Sequence, residues 1–160
     1  MYAIAVSSDG SKACTVADDG YVWLSSDGGM TWAKDSSLGI DEWRSVTMSP
    51  DGSKLLVCAK TGRVVLSHDA GSTWSELNGG QSQYTDCSMS ADAQTIVLAR
   101  AYVEPQISTD GGSTFSYTSS GASASDDRSW TTWMTGWCCK YVGTTMTSSS
   151  LTEESEDEGS

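Results

Sequence analysis

Proline is almost missing from this chain, with two residues in 160, and phenylalanine and histidine occur once each. Basic residues are few as well: nine Lys and Arg stand against 21 Asp and Glu, a formal net charge of −12. Nucleic-acid binding needs a cationic stripe to displace phosphate counterions, so that partner class is disfavoured. Long apolar runs are absent too. No stretch approaches the roughly 18 apolar residues of a membrane span. The N-terminal Met1-Tyr-Ala-Ile-Ala-Val-Ser has no charged region and too short an apolar core for a signal peptide. As written, the chain reads as soluble, without contact to a membrane and without a stated compartment. Met1 opens almost directly onto a strand-like run, which leaves room for a start further upstream. The usual helix formers Leu, Glu, Lys and Gln are scarce, while Ser, Thr and Gly fill much of the sequence. Seven Trp and six Tyr among small residues suit short strands and tight turns.

The five cysteines, Cys14, Cys58, Cys87, Cys138 and Cys139, include no CxxC pair and no accompanying histidine cluster. No metal site or cofactor is expected from them. Cys14, Cys58 and Cys87 sit inside apolar runs and are read as small hydrophobes. The adjacent Cys138 and Cys139 receive no assigned role.

What the chain does have is one motif written three times. It reads Ser25-Ser-Asp27-Gly-Gly29-Met-Thr31-Trp32, Ser67-His-Asp69-Ala-Gly71-Ser-Thr73-Trp74 and Ser108-Thr-Asp110-Gly-Gly112-Ser-Thr114-Phe115. The aspartates are 42 and then 41 residues apart. A second element keeps the same spacing: Ser8-Asp9-Gly10-Ser11-Lys12 returns as Pro50-Asp51-Gly52-Ser53-Lys54 and, weakened, as Ala91-Asp92-Ala93-Gln94. Such a period marks a repeat protein in which each copy is one supersecondary unit.

Within the middle copy, Trp43 to Ser49 alternates, placing Arg44, Val46 and Met48 on one face of a strand. Pro50-Asp51-Gly52 is a tight turn, and Leu55 to Ala59 is a short apolar run expected to be covered on both faces. Arg63 to Ser67 and Thr73 to Leu77 complete four strands. Four antiparallel strands in about 42 residues make one blade of a β-propeller. Ile4, Val46 and Cys87 are then equivalent, as are Val6, Met48 and Met89. In the third copy, Pro105 removes a ladder donor from the strand around Val103 to Ser108, which should be bulged or locally unpaired.

The repeated motif has a folding logic. Its carboxylate can accept hydrogen bonds from the backbone of the turn that follows, glycine supplies the turn's conformation, and the final ring fills space between units. Asp27, Gly29, Thr31, Trp32, Asp69, Gly71, Thr73, Trp74, Asp110, Gly112, Thr114 and Phe115 are accordingly read as structural. Calcium binding or acid catalysis is the weaker reading, since a group recurring once per unit does a job once per unit.

Ser-x-Asp-x-Gly-x-Thr-Trp closing a β unit of this length resembles the Asp-box, or BNR, repeat of sialidases, sortilin-type receptors and xyloglucan-cleaving glycosidases. The longer pattern of Trp43-x-x-Val46-x-Met48-Ser-Pro-Asp-Gly-Ser-Lys54 before the box is most similar to repeats of the photosystem II stability/assembly factor group. The resemblance implies an all-β propeller and says little about activity. The sialidase Arg-Ile-Pro element is absent, no glutamate has a recognisable tyrosine partner, and G-x-S-x-G and phosphate-binding loops are missing. No catalytic residue is therefore named.

The expected organisation is three blades over 1–119 (about 1–36, 37–78 and 79–119). A degenerate fourth blade or capping hairpin follows over 120–146, then a disordered acidic tail over 147–160. The tryptophans at 130, 133 and 137 also fit a helical spacing. Propellers close with roughly four to eight blades, so three copies alone are too few. The expected function is a non-enzymatic module that holds a protein or peptide, with Arg44, Arg63, Arg100 and Tyr102 on a loop face at one end of the blades. Closure by a second copy of the chain is an added expectation. The alternative is a fragment or relative of an Asp-box glycoside hydrolase.

Overall fold

The structure is a computed structural model and describes residues 3–77, 83–101 and 103–117. Its described residues form three four-stranded antiparallel sheets, each running through its strands in chain order. The first blade holds β1 (Ala3–Val6), β2 (Ala13–Val16), β3 (Val22–Ser25) and β4 (Ala33–Asp35). The second holds β5 (Trp43–Met48), β6 (Leu55–Ala59), β7 (Val64–Ser67) and β8 (Ser75–Glu76). The third holds β9 (Tyr84–Met89), β10 (Ile96–Arg100), β11 (Val103–Ser108) and β12 (Ser116–Tyr117). No helix occurs among the described residues. The all-β propeller architecture expected from the repeats is the one observed. The expectations for 120–160 fall outside the described residues, and so does Tyr102.

Repeat-equivalent residues occupy equivalent ladder positions. Ile4 faces Thr15, Val46 faces Val57, and Cys87 faces Leu98. The blades are then joined through their faces. β6 shows why its sequence is continuously apolar: all five residues are buried, and alternate side chains enter different clusters. Leu55, Val57 and Ala59 join Val46, Trp43, Cys14, Val16 and Val22 between the first and second blades. Leu56 and Cys58 join Val64, Leu66, Cys87, Ile96 and Leu98 between the second and third. Each buried aliphatic side chain of this size contributes about 1.5–3 kcal/mol, which is how strands of four or five residues make a stable sheet. The thiols fill small gaps as expected. Burial pushes Cys14 up to about 12, and the neighbouring Cys58 together with burial holds Cys87 well above the ordinary thiol range.

The strict alternation expected from Trp43 to Ser49 is broken by a bulge between Trp43 and Ser45. The added residue brings Trp43 onto the side of Val46, where both are buried in the same cluster. The third blade has an irregularity at the matching place, between Asp86 and Tyr84. Pro105 lies within β11, and the ladder slips between Gln106 and Val103, as its missing donor requires. The fourth strand of the second blade is shorter than expected, Ser75–Glu76 in place of Thr73–Leu77. Thr73 is held by the turn before it, and Leu77 adds one backbone bond of 2.9 Å to Val64. The weakened turn at Asp92 still forms, with Ala93 in the left-handed region at φ 56° where the other copies have Gly10 and Gly52.

Close packing adds a second constraint on one repeated glycine at two of its three occurrences. A Cβ on Gly71 would sit 2.5 Å from Cδ1 of Leu24, and one on Gly112 would sit 2.6 Å from Cδ1 of Leu77. Both leucines belong to the preceding blade. Gly29 shares the same backbone conformation, with φ of 87° against 89°, but meets only its own Trp32 ring at 3.8 Å. Gly29→Ala is expected to lose about 1 kcal/mol from left-handed backbone strain alone. Gly71→Ala should lose a further ~1–3 kcal/mol from overpacking. Urea unfolding of the two variants checks this, and equal losses would show that Leu24 yields without cost.

Candidate functional site

Within a blade the β1–β2 type hairpin and the acidic turn between the third and fourth strands lie at one end. The connections between second and third strands, and between blades, lie at the other. The two ends are built from different chemistry.

At the first end, the three acidic turns are near copies. In the second, Asp69 Oδ1 accepts from the Thr73 amide at 2.8 Å and from the Ser67 hydroxyl at 2.8 Å, while Oδ2 accepts from the Thr73 hydroxyl at 2.6 Å. The Ser67 oxygen in turn accepts from the Gly71 amide at 2.8 Å. Asp27 makes the same bonds with Thr31 and Ser25, and Asp110 with Thr114 and Ser108. Each turn is also tied to the hairpin of its own blade, through Gly28 to Ser11, Ala70 to Ser53 and Gly111 to Gln94, at 2.7–2.9 Å. The final ring leads between blades where a preceding blade is present. Trp74 packs on the first cluster and donates to Asp35 at 2.6 Å, and Phe115 packs on the second cluster. Burial opposes the charge of Asp35, but bonds from Ser37 and Trp74 outweigh it and keep the carboxyl below its ordinary range.

These contacts leave the carboxylates little chemistry. Bonds from the Thr hydroxyl and amide, then from the Ser hydroxyl, lower Asp27, Asp69 and Asp110 from 3.8 to about 2. A carboxylate so engaged is a poor proton donor near neutrality. No group of three or more His, Cys, Asp and Glu side chains able to hold a metal ion occurs among the described residues.

At the opposite end the three loops differ from one another: Ala17-Asp18-Asp19-Gly20-Tyr21, Lys60-Thr61-Gly62-Arg63, and Arg100-Ala101 with its continuation. Arg44 pairs with Asp18 at 3.3 Å and with Glu42 at 3.6 Å, and Lys60 reaches Glu42 at 3.3 Å. Arg63 donates to the Leu38 carbonyl at 2.7 Å, approaches Glu76 at 3.6 Å and lies 5.5 Å over the Trp43 ring. Arg100 donates to the Glu104 carbonyl at 3.2 Å and stacks 4.8 Å over Tyr117. Arg44 and Lys60 thus share one acidic partner, whereas Arg63 and Arg100 are held by separate contacts. Arg100 braces its own loop, whereas Arg44 reaches Asp18 of the first blade and Arg63 reaches the segment before β5.

Sequence reasoning placed Asp18 in a loop of this end but not its pairing with Arg44, and it missed Asp41 and Glu42 as members of this end. Asp41 pairs through its backbone with Gly20 and accepts from the Thr61 hydroxyl at 2.8 Å, linking two blades. It also missed the bond of 2.5 Å between the Ser45 hydroxyl and Asp86. A signal was present: the two residues are one repeat apart, so equivalent polar positions meet where the first strands of neighbouring blades adjoin.

The fold and site define blades of a β-propeller, and solved structures agree. YCF48 bound to a D1 peptide matches with a TM-score of 0.61 at 16% identity, over 72% of this chain and 39% of that one. YCF48 from Cyanidioschyzon merolae matches at 0.57 and 19% identity, over 72% of this chain and 36% of that one. A GH74 enzyme from Niastella koreensis matches at 0.57 and 21% identity, over 72% and 17%. The chain therefore spans less than half the length of these structures. No family model matches the chain. No curated protein matches it either.

The lowered aspartates predict acid sensitivity with a definite sign. Their folded value of about 2 lies below the unfolded value of 3.8, so their contribution is complete above about pH 4 and is lost as pH falls toward 2. Thermal midpoints of the wild type should fall across that window. Asp69→Asn should start from a lower midpoint and decline less steeply. A parallel decline would show that Asp69 does not contribute to the acid transition.

Proposed function

We propose that this chain is a non-enzymatic propeller module that holds a protein or peptide segment at the loop end of its blades. The observation that carries the reading is the contrast between the two ends. One end repeats the same turn three times, as a scaffold does. The other varies from blade to blade in charge and shape, as a recognition surface does. Arg44, Arg63 and Arg100 supply cationic groups there. Asp18, Glu42 and Lys60 add a mixed-charge border. An acidic body around a few paired arginines favours a partner that can exchange ion pairs with them over a polyanion. A solved propeller of similar blade structure holds a peptide, which supports a peptide or protein as the ligand class. The similarity to GH74 enzymes concerns the fold. For a hydrolytic role, the carboxylates of the three acidic turns are already bound within their own loops. No helix among the described residues is long and apolar enough to cross a membrane.

A displayed random-peptide library should yield binders whose affinity falls at least about tenfold in Arg63→Glu/Arg100→Glu. His68→Ala and Met30→Ala, both exposed at the acidic-turn end, should leave affinity unchanged. Unchanged capture by the charge-reversed protein would remove the loop end from consideration.

A further inference from the structure

The junction between the second and third blades carries two thiols where the junction before it carries two valines. Repeat register makes Cys58 of β6 equivalent to Val16 of β2, and Cys87 of β9 equivalent to Val46 of β5. Val16 and Val46 share the cluster between the first and second blades. Cys58 and Cys87 share the cluster between the second and third. Burial does not separate the two pairs: Val16 and Cys58 are both 0% exposed, Val46 is 7% and Cys87 5%. Valine already fills this place well, so what sets the cysteines apart is their chemistry.

Strands of different blades bring the two sulfurs together. Cα atoms of β6 and β9 approach within 8 Å, closer than the spacing of about 10 Å usual for stacked sheets. The Cys87 thiol meets the β6 backbone, with its Sγ 3.8 Å from the Leu56 carbonyl oxygen. Cys58 follows Leu56 by two residues and enters the same cluster from the same face of β6. A hydrogen bond between the two thiols, burial and the nearby Asp86 carboxylate raise Cys87 above the ordinary thiol range. The Ser45 hydroxyl, itself bonded to Asp86 at 2.5 Å, acts the other way. Both cysteines are free thiols in this structure. Cys14, in the first cluster, has no second cysteine there among the described residues.

We propose that Cys58 and Cys87 are an oxidisable pair, which a small disulfide such as oxidised glutathione converts into a covalent bond between the second and third blades. In the first exchange, one cysteine thiolate attacks the small disulfide, forms a mixed disulfide and releases one small thiolate. In the second, the other cysteine attacks the protein sulfur of that mixed disulfide and expels the remaining small thiolate. The protein gives up two electrons and two protons, which appear in two small thiols. Cys87 keeps a little exposure and takes the first step, and the fully buried Cys58 completes the second. The protonated, buried state of Cys87 makes the first step slow, so the pair answers sustained exposure to oxidant.

The test uses the 160-residue chain carrying Cys138→Ser/Cys139→Ser, which leaves Cys14, Cys58 and Cys87. The folded protein is held with oxidised glutathione, alkylated, and digested with trypsin for mass spectrometry. Cleavage after Lys and Arg places Cys58 in peptide 55–60 and Cys87 in peptide 64–100. These should be recovered joined, and dithiothreitol should separate them. In urea unfolding, the oxidised protein should exceed the reduced one by on the order of 10²-fold in folding equilibrium constant. Cys58→Val, which copies the side chain at Val16, should stop at a mixed disulfide on Cys87 and gain no such stability. Cys58→Ala takes its place if the valine disturbs folding. Unjoined peptides from the folded, oxidised sample would overturn the proposal. So would a bond from Cys14 to either cysteine in place of this one, or a joined protein no more stable than the reduced.

Discussion

Burial of one sheet against the next is the interaction on which everything else here depends. A four-stranded sheet of such short strands has too little surface of its own to offset the ordering of its chain. β6 illustrates the solution, since its residues enter two clusters belonging to two different junctions. The middle blade is held on both sides and contains most of the fully buried aliphatic side chains. At Gly71 and Gly112 a leucine of the preceding blade leaves little room for a larger residue.

The acidic turns follow from that constraint. Sheets stacked face to face leave the connection between third and fourth strands as a tight, exposed loop with several amide donors to satisfy. One carboxylate and one serine hydroxyl satisfy them within the turn, and the following aromatic ring is thereby aimed at the neighbouring blade. The bond from Trp74 to Asp35 joins this local device to the junction itself. A group committed in this way stabilises the charged, folded form and is withdrawn from acid–base work.

The opposite end is free of that demand. Its loops are tied by pairs that differ from place to place, such as Arg44 with Asp18 across two blades and Arg63 with Leu38. A uniform end and a varied end coexist because the core lies in the faces between blades.

The repeat spacing, the two turns per unit and the apolar run at Leu55–Ala59 were legible in the sequence because each reflects a local backbone requirement or a strand buried on both faces. From them alone the chain is a run of propeller blades with structural aspartates, and even the disruption at Pro105 is foreseeable. The bulge that turns Trp43 inward and the meeting of Ser45 with Asp86 were not legible. Nor were the acidic partners of Arg44, or the leucines that close over Gly71 and Gly112. These depend on how one sheet is rotated against the next. That rotation is set by the sum of many side-chain contacts between residues some 40 positions apart, so only the tertiary structure decides it.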